Sequence, residues 1–224
     1  MSAAPIHLLG ERLMLDPAGI LYWPSAQTLV VSDLHLEKGS AFARKGMLLP
    51  PWDTQATLDR LSLSLRRWRP KTVVTLGDSF HDNGGPARLP ARERERLAMM
   101  TAAHDFIWVL GNHDPQPPEG IGGRFVEEFT THPLTFRHQS RGSAEMGEIV
   151  GHHHPKAAVP TRGTVVSRSC FVTDARRVMM PAFGAYTGGL DVCDAAIAGL
   201  FAGPFHAYML GHARVYAIPR RVAV

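Results

Sequence analysis

Cysteine is almost missing from this chain: 224 residues contain two, Cys170 and Cys193. That count excludes a disulfide framework, and the spacing excludes a thiolate zinc knot. Lysine is nearly as scarce. Of 24 basic residues only Lys38, Lys45, Lys71 and Lys156 are lysines. Arginine therefore carries the net charge of +4 and the pI near 9.4, and its planar fork suits bidentate contact with phosphate. No apolar run approaches the roughly 20 residues of a membrane span. No secretory signal opens the chain, so a cytoplasmic location without a membrane partner is expected. Internal repeats, low-complexity tracts and clear linkers are also lacking. The remainder, 45% hydrophobic and 20% charged, is ordinary for a globular protein, expected as one domain over residues 1–224.

Against that background the apolar runs are short and regularly punctuated. "IHLLGERLMLDPAGILYWP" reads as hairpin strands around a "DPAG" turn. "TLVVSD" follows as a strand. Asp53 then reads as the N-cap of a helix with Leu58, Leu61, Leu65 and Trp68 at helical spacing, stopped at Pro70. "KTVVTLGD" is a buried strand and "ARERERLAMMTAAH" a helix whose mixed charges suit a solvated face. "FIWVLGNHD", "LTFRH" and "EIVGHHHP" give three more strands. Strand alternating with helix predicts a mainly parallel sheet with right-handed crossovers. In the second half, "TVVSRSCFVTD", "RRVMMPAF", "AYMLG" and "RVYAIP" read as short strands of a second sheet, with one short helix in "DAAIAGLF". His212, in "MLGHARVYAIP", falls in a hairpin turn between the last two.

What distinguishes these strands is how they end. "LVV" runs into Asp33-x-His35, and "VVTL" into Gly77-Asp78. "IWVL" runs into Gly111-Asn112-His113-Asp114, and "EIV" into Gly151-His152-His153-His154. If the segment stays extended, Asp33 and His35 share a face and aim at one spot. Ligand sites of open α/β sheets gather at the carboxyl ends of strands, so the four clusters are expected to converge. The glycines before Asp78, Asn112 and His152 are expected to let the backbone turn sharply there. A thiolate-free set of imidazole, carboxylate and amide donors suits Mn²⁺, Fe or Zn²⁺. Two such ions roughly 3.5–4 Å apart serve the attacking and leaving oxygens of an in-line displacement, which is phosphoester chemistry.

The ordered motifs D-x-H, GD, GNHD, a lone histidine and G-H-x-H resemble the calcineurin-like binuclear metallophosphoesterases over about residues 27 to 154. "SDLHLEKGSAFARKGMLLPPWDT", "GDSFHD" and "MPAFGAYTGGLDV" extend the resemblance over nearly the whole chain. They resemble the ligase-associated DNA-damage-response branch, bacterial endonucleases encoded beside a DNA ligase and a helicase. The resemblance implies a four-layer α/β/β/α sandwich and two divalent ions, Mn²⁺ first, with Fe or Zn²⁺ as alternatives. Carried over by position, Asp33, His35 and His154 hold one ion and Asp78 bridges. Asn112, His152 and one intermediate histidine hold the other. His132 and His138 both qualify for that place; His138 is chosen because it ends the strand "LTFR", whereas His132 precedes Pro133 in a turn. The middle histidine, His153, receives no role.

The expected reaction is hydrolysis of a phosphodiester, with His113 as general acid and Asp114 placed to orient its ring. The family implies that the diester lies in DNA, single strands favoured. Lys38, Arg44 and Lys45, in a loop leaving directly from Asp33-x-His35, are candidate phosphate contacts. His81 is a further candidate in contact with substrate or supporting the ligands. Any one of the 12 histidines is more often a surface or core residue than a ligand, and His7, His104 and His206 are read as structural. The joint, ordered set carries the metal reading. Two other functions fit the same motifs: a hydrolase of small phosphoesters, and a metal-binding scaffold without activity. The retention of His113 among the donors argues against the scaffold.

Overall fold

The computed structural model describes residues 2–142 and 144–219. Its first sheet collects β1 (Ala4–Leu8), β2 (Glu11–Asp16), β3 (Ile20–Trp23), β4 (Thr28–Val31), β5 (Thr72–Leu76), β6 (Asp105–Val109) and β7 (Arg124–Val126) in that spatial order. Strands β1 to β4 pair antiparallel and β4 to β7 parallel, so the sheet is mixed rather than mainly parallel. Between β4 and β5 lie α1 (Lys38–Ala43) and α2 (Asp53–Trp68). Between β5 and β6 lie α3 (Gly85–Arg88) and α4 (Ala91–Ala103).

The second sheet draws on β8 (Glu128–Thr131), β9 (Leu134–Arg137), β10 (Glu148–Val150), β12 (Thr164–Thr173), β13 (Arg177–Met179), β14 (His206–Leu210) and β15 (Val215–Pro219). Its order is β15-β14-β12-β13-β10-β9-β8, with β11 (Lys156–Thr161) paired to β12 as a projecting hairpin. The helix α5 (Ala195–Ala198) precedes β14. No helix among the described residues is long and apolar enough to cross a membrane. "LTFR" and "EIV" therefore belong to the second sheet, where they run parallel to each other.

Period-two alternation along the strands builds three apolar layers. In β4 to β6, Val30, Val74, Ile107 and Val109 face the second sheet and meet Phe136, Ile149, Phe171 and Val178. Their neighbours Leu29, Val31, Val73, Phe106 and Trp108 face outward onto Leu58, Leu61 and Leu65 of α2 and Leu97 and Met100 of α4. Burial on both faces explains why these strands read as continuous apolar runs. The outer face of the second sheet is covered by Val192, Ile197, Phe201 and Phe205 from α5 and its flanks. The result is α/β/β/α, with a thin fourth layer.

Two helix boundaries differ from the expected ones. Asp53 is the first residue of α2, not its N-cap; Trp52 holds that place and makes no side-chain cap. The Asp53 carboxylate instead accepts the Gly39 N–H at 2.9 Å and ties α2 to α1. The segment carrying Lys38 is correspondingly helix α1 rather than a loop.

Candidate metal centre

The strand ends of both sheets meet at one point. Beyond Val31 the chain is not extended: Asp33 and His35 both adopt left-handed conformations, with φ of 52° and 43°. The two side chains converge because of these turns, not because of strand alternation. Asp78, His152 and His154 are left-handed too, with φ of 46°, 71° and 48°. A non-glycine residue held there costs on the order of 1–3 kcal/mol, and such strain persists only where surrounding bonds impose it. Here they do: His35 N donates to Asp78 O at 2.8 Å, Leu36 N to Ser79 O at 2.9 Å, and Gly184 N to Asp33 O at 3.0 Å.

The glycines act by a different route from the one expected. Only Gly77 has positive φ, 73°. Gly111 and Gly151 are needed for close approach. A Cβ at Gly111 would lie 2.1 Å from Asp78 N, and one at Gly151 would lie 1.9 Å from Ser32 Oγ.

Two donor sets that contain a carboxylate result, and a third group, His35, His81 and His113, shares His35 with the first. Asp33, His35 and His154 bring one ligand atom each within 4.8 Å of the others, and Asp78, His138 and His152 do the same. His35 Nε2 and His154 Nε2 are 3.3 Å apart, and His138 Nε2 and His152 Nδ1 are 3.2 Å apart. Ligands at ~2.0–2.2 Å from one ion, at about 90–110°, stand ~2.8–3.6 Å from each other, so both pairs have the spacing of shared coordination. Asp78 lies between the sets, with Oδ2 3.8 Å from His35 Nε2 and Oδ1 3.4 Å from His138 Nε2. Asn112 Oδ1 is 2.9 Å from His138 Nε2 and joins the second set. His138 is buried, and its Nδ1 donates to Leu76 O at 2.9 Å, which leaves the Nε2 lone pair directed at the centre. His132 is exposed in the turn before β9.

The electrostatics agree with a cation-binding role. Burial pushes His35 down to about 3 and His152 to about 4, so both rings are neutral and carry a free lone pair at neutral pH. Burial opposes ionisation of Asp33, yet the hydrogen bond and charge from His154, with His138 behind it, hold that carboxyl below its ordinary range. Burial raises Asp78 instead. Two nearly dry carboxylates beside four imidazoles form a set that positive charge would stabilise.

A family model for calcineurin-like phosphoesterase matches residues 26–168. The chain belongs to the calcineurin-like phosphoesterase family. Its structure is similar to the nuclease MPE of Pseudomonas putida, with a TM-score of 0.77 and 26% identity, covering 97% of this chain and all of the other. It is also similar to the E. coli phosphoesterase Yfce, with a TM-score of 0.44 and 14% identity, over 87% of this chain and 99% of that one. No curated protein sequence matches.

In this calcineurin-like phosphoesterase the remaining candidates fall around the donor sets. His113 is exposed, with Nε2 3.9 Å from Asp78 Oδ2. Its ring is oriented by His81, whose backbone carbonyl meets His113 Nδ1 at 2.8 Å and whose own ring stacks on it at 5.2 Å. Asp114 does not perform that task. It is buried and accepts backbone N–H groups from Phe80 at 3.0 Å and Gly111 at 3.1 Å, which ties two strand ends together. Burial pushes its carboxyl up to about 6.

Lys38 is half-buried with its ammonium 5.8 Å from the Phe42 ring. The charges of Lys38 and Lys45 both act on His81, so two of the three candidate phosphate-contacting cations border the centre. Arg44 is exposed and lies towards Gly84. The sequence reading missed Gln139, whose Nε2 sits 3.4 Å from both Asn112 Oδ1 and His152 Nδ1. Only its place directly after His138 marks it.

Proposed function

We propose that this phosphoesterase is a cytoplasmic, metal-dependent DNA endonuclease that favours single strands and serves DNA repair alongside a DNA ligase and a helicase. The observation that carries the reading is the pair of donor sets with Asp78 between them and His113 exposed at their edge. Nuclease activity is supported by the similarity to the nuclease MPE over nearly the full length of both chains. Single-strand preference and the repair setting rest on the motif resemblance, and the cations Lys38, Arg44 and Lys45 agree with them.

In this reading Asp33, His35 and His154 hold one divalent ion, Asn112, His138 and His152 hold the second, and Asp78 belongs to both. When bound, the ions, Mn²⁺ foremost and Fe or Zn²⁺ otherwise, supply Lewis-acid polarisation of the phosphate and a lowered pKa for the attacking water. The protein residues do the rest. His138 is kept in one tautomer by Leu76 O. His113 keeps its Nδ1 hydrogen on His81 O, so Nε2 is the atom at which a proton is held and given to the departing oxygen. The exposure of Asn112, His113 and Gln139 leaves this edge open to a polymer.

A circular single-stranded DNA supplies the test, because it offers no end to an exonuclease. Linearisation with Mn²⁺ present is the expected result. An intact circle together with rapid turnover of a cyclic nucleotide would establish the small-phosphoester reading instead.

A further inference from the structure

Exposed large hydrophobic side chains are concentrated in one place. Of the eleven among the described residues, Met47, Leu48, Trp52, Tyr186 and Leu190 belong to just two segments, the α1–α2 connection and the stretch after Phe183. These segments touch: Tyr186 Oη donates to Pro50 O at 3.1 Å, and Ala185 N donates to Thr57 Oγ1 at 3.0 Å. Contiguous exposed apolar surface on a monomer marks an interaction site.

The patch is continuous with the metal centre. Gly184 N donates to Asp33 O at 3.0 Å, and Leu190 N to His153 O at 3.4 Å, so the stretch holding Tyr186 is fastened at both ends beside proposed ligands. The two residues from Gly184 to Tyr186 span at most about 7 Å. Tyr186 is held at φ 61°, a conformation disfavoured for an aromatic residue by roughly 1–2 kcal/mol. The ring is 42% exposed, with its hydroxyl anchored on Pro50 O. Trp52 is 63% exposed at the N-cap of α2, where its side chain makes no capping hydrogen bond. Lys38 of α1 borders the same surface, since its charge acts both on His81 and on Asp53, the residue next to Trp52, so flat apolar faces are paired there with positive charge. A protein partner's apolar face would need no such cation.

Resting on the nuclease reading, we propose that Trp52 and Tyr186 form a stacking platform for the bases of a single strand whose phosphate occupies the metal centre. Every base has a π-face, so such a platform grips without reading sequence. A duplex keeps its bases stacked on one another, and the platform therefore also selects single strands.

The test compares wild type with the double variant Trp52→Ala/Tyr186→Ala on a single-stranded oligonucleotide, an abasic strand of equal length and a nitrophenyl diester. Each lost stack is expected to raise KM for the oligonucleotide about 5- to 150-fold, and the gap between the proteins should close on the abasic strand. Trp52→Phe/Tyr186→Phe should restore most of the affinity, whereas Trp52→Leu/Tyr186→Leu, equally apolar but not aromatic, should not. Equal KM values for wild type and the alanine variant on the normal oligonucleotide would overturn the platform and leave the nuclease reading standing. A wild type that cuts no DNA at all overturns both. Equal DNA cleavage together with a change in oligomeric state assigns the patch to a protein interface and also overturns the proposal.

Discussion

His113 is the residue on which the chemistry can be separated from binding. Its Nδ1 is committed to His81 O at 2.8 Å, and its Nε2 is free to face the leaving group. A nitrophenolate leaves without help, whereas a DNA alkoxide needs a proton. His113→Ala should therefore lower kcat on DNA by roughly 10²–10⁴ and leave nitrophenyl diester hydrolysis far less affected. Equal losses on both substrates would point to a phosphate-positioning role. The choice between His132 and His138 is also a residue-scale question. His138→Ala should empty the second metal position, because His138 Nε2 lies 2.9 Å from Asn112 Oδ1 and 3.2 Å from His152 Nδ1. His132→Ala removes an exposed side chain and should leave two ions per chain in metal analysis; the opposite outcome moves that ligand position to His132.

At the scale of elements, the strand ends decide the site's geometry. Gly77 is left-handed, and a Cβ there would fall 2.3 Å from His138 Nδ1. Gly77→Ala should displace the His138 ring and destabilise the fold by about 1–3 kcal/mol. Bound metal should drop towards one ion per chain. Gly46, also left-handed at φ 77° but with nothing within 4 Å of its Cβ, is the control for strain alone. Gly46→Ala should keep two ions. Helix α1 and the turn that follows it support a separate expectation. If Lys38, Arg44 and Lys45 contact the backbone of a single strand, log affinity falls with log salt by about 0.7 per contact. Replacing all three should flatten that slope, and an unchanged slope would remove α1 from the DNA path.

These elements also show what the sequence reveals and conceals. Buried strands were legible because apolar runs end in abrupt polar groups, and the order of those groups exposed the donor residues. Strands β7 and β8 were not, since "RFV" and "EFTT" are short and half-polar; β7 is set by pairing with the remote β6, and β8 by a hairpin with β9. The left-handed turns at Asp33 and His35 were hidden as well. They are imposed by hydrogen bonds to Asp78, Ser79 and Gly184, residues remote in sequence. Asp114 was misplaced for the same reason: neighbourhood to His113 in sequence said nothing of the N–H groups it accepts.

On the scale of the whole molecule the metal centre is a seam. Asp33, Asp78 and Asn112 follow strands of the first sheet, while His138, His152 and His154 follow strands of the second. Each proposed ion would thus join the two sheets at their carboxyl ends, and the unfolded chain has no such preformed set. Binding to the folded state alone stabilises by about 2.7 kcal/mol at a hundredfold excess over Kd. For a chain of this size that corresponds to a rise in Tm of roughly 5–11 °C. Chelation should lower Tm by this amount and Mn²⁺ should restore it. Asp78→Ala removes the group shared by both donor sets, so its Tm should respond least to either treatment, and it should retain the least metal of any single variant. An equal Mn²⁺ response in wild type and Asp78→Ala would show that the ions bind elsewhere, and the shared-carboxylate centre would have to be abandoned.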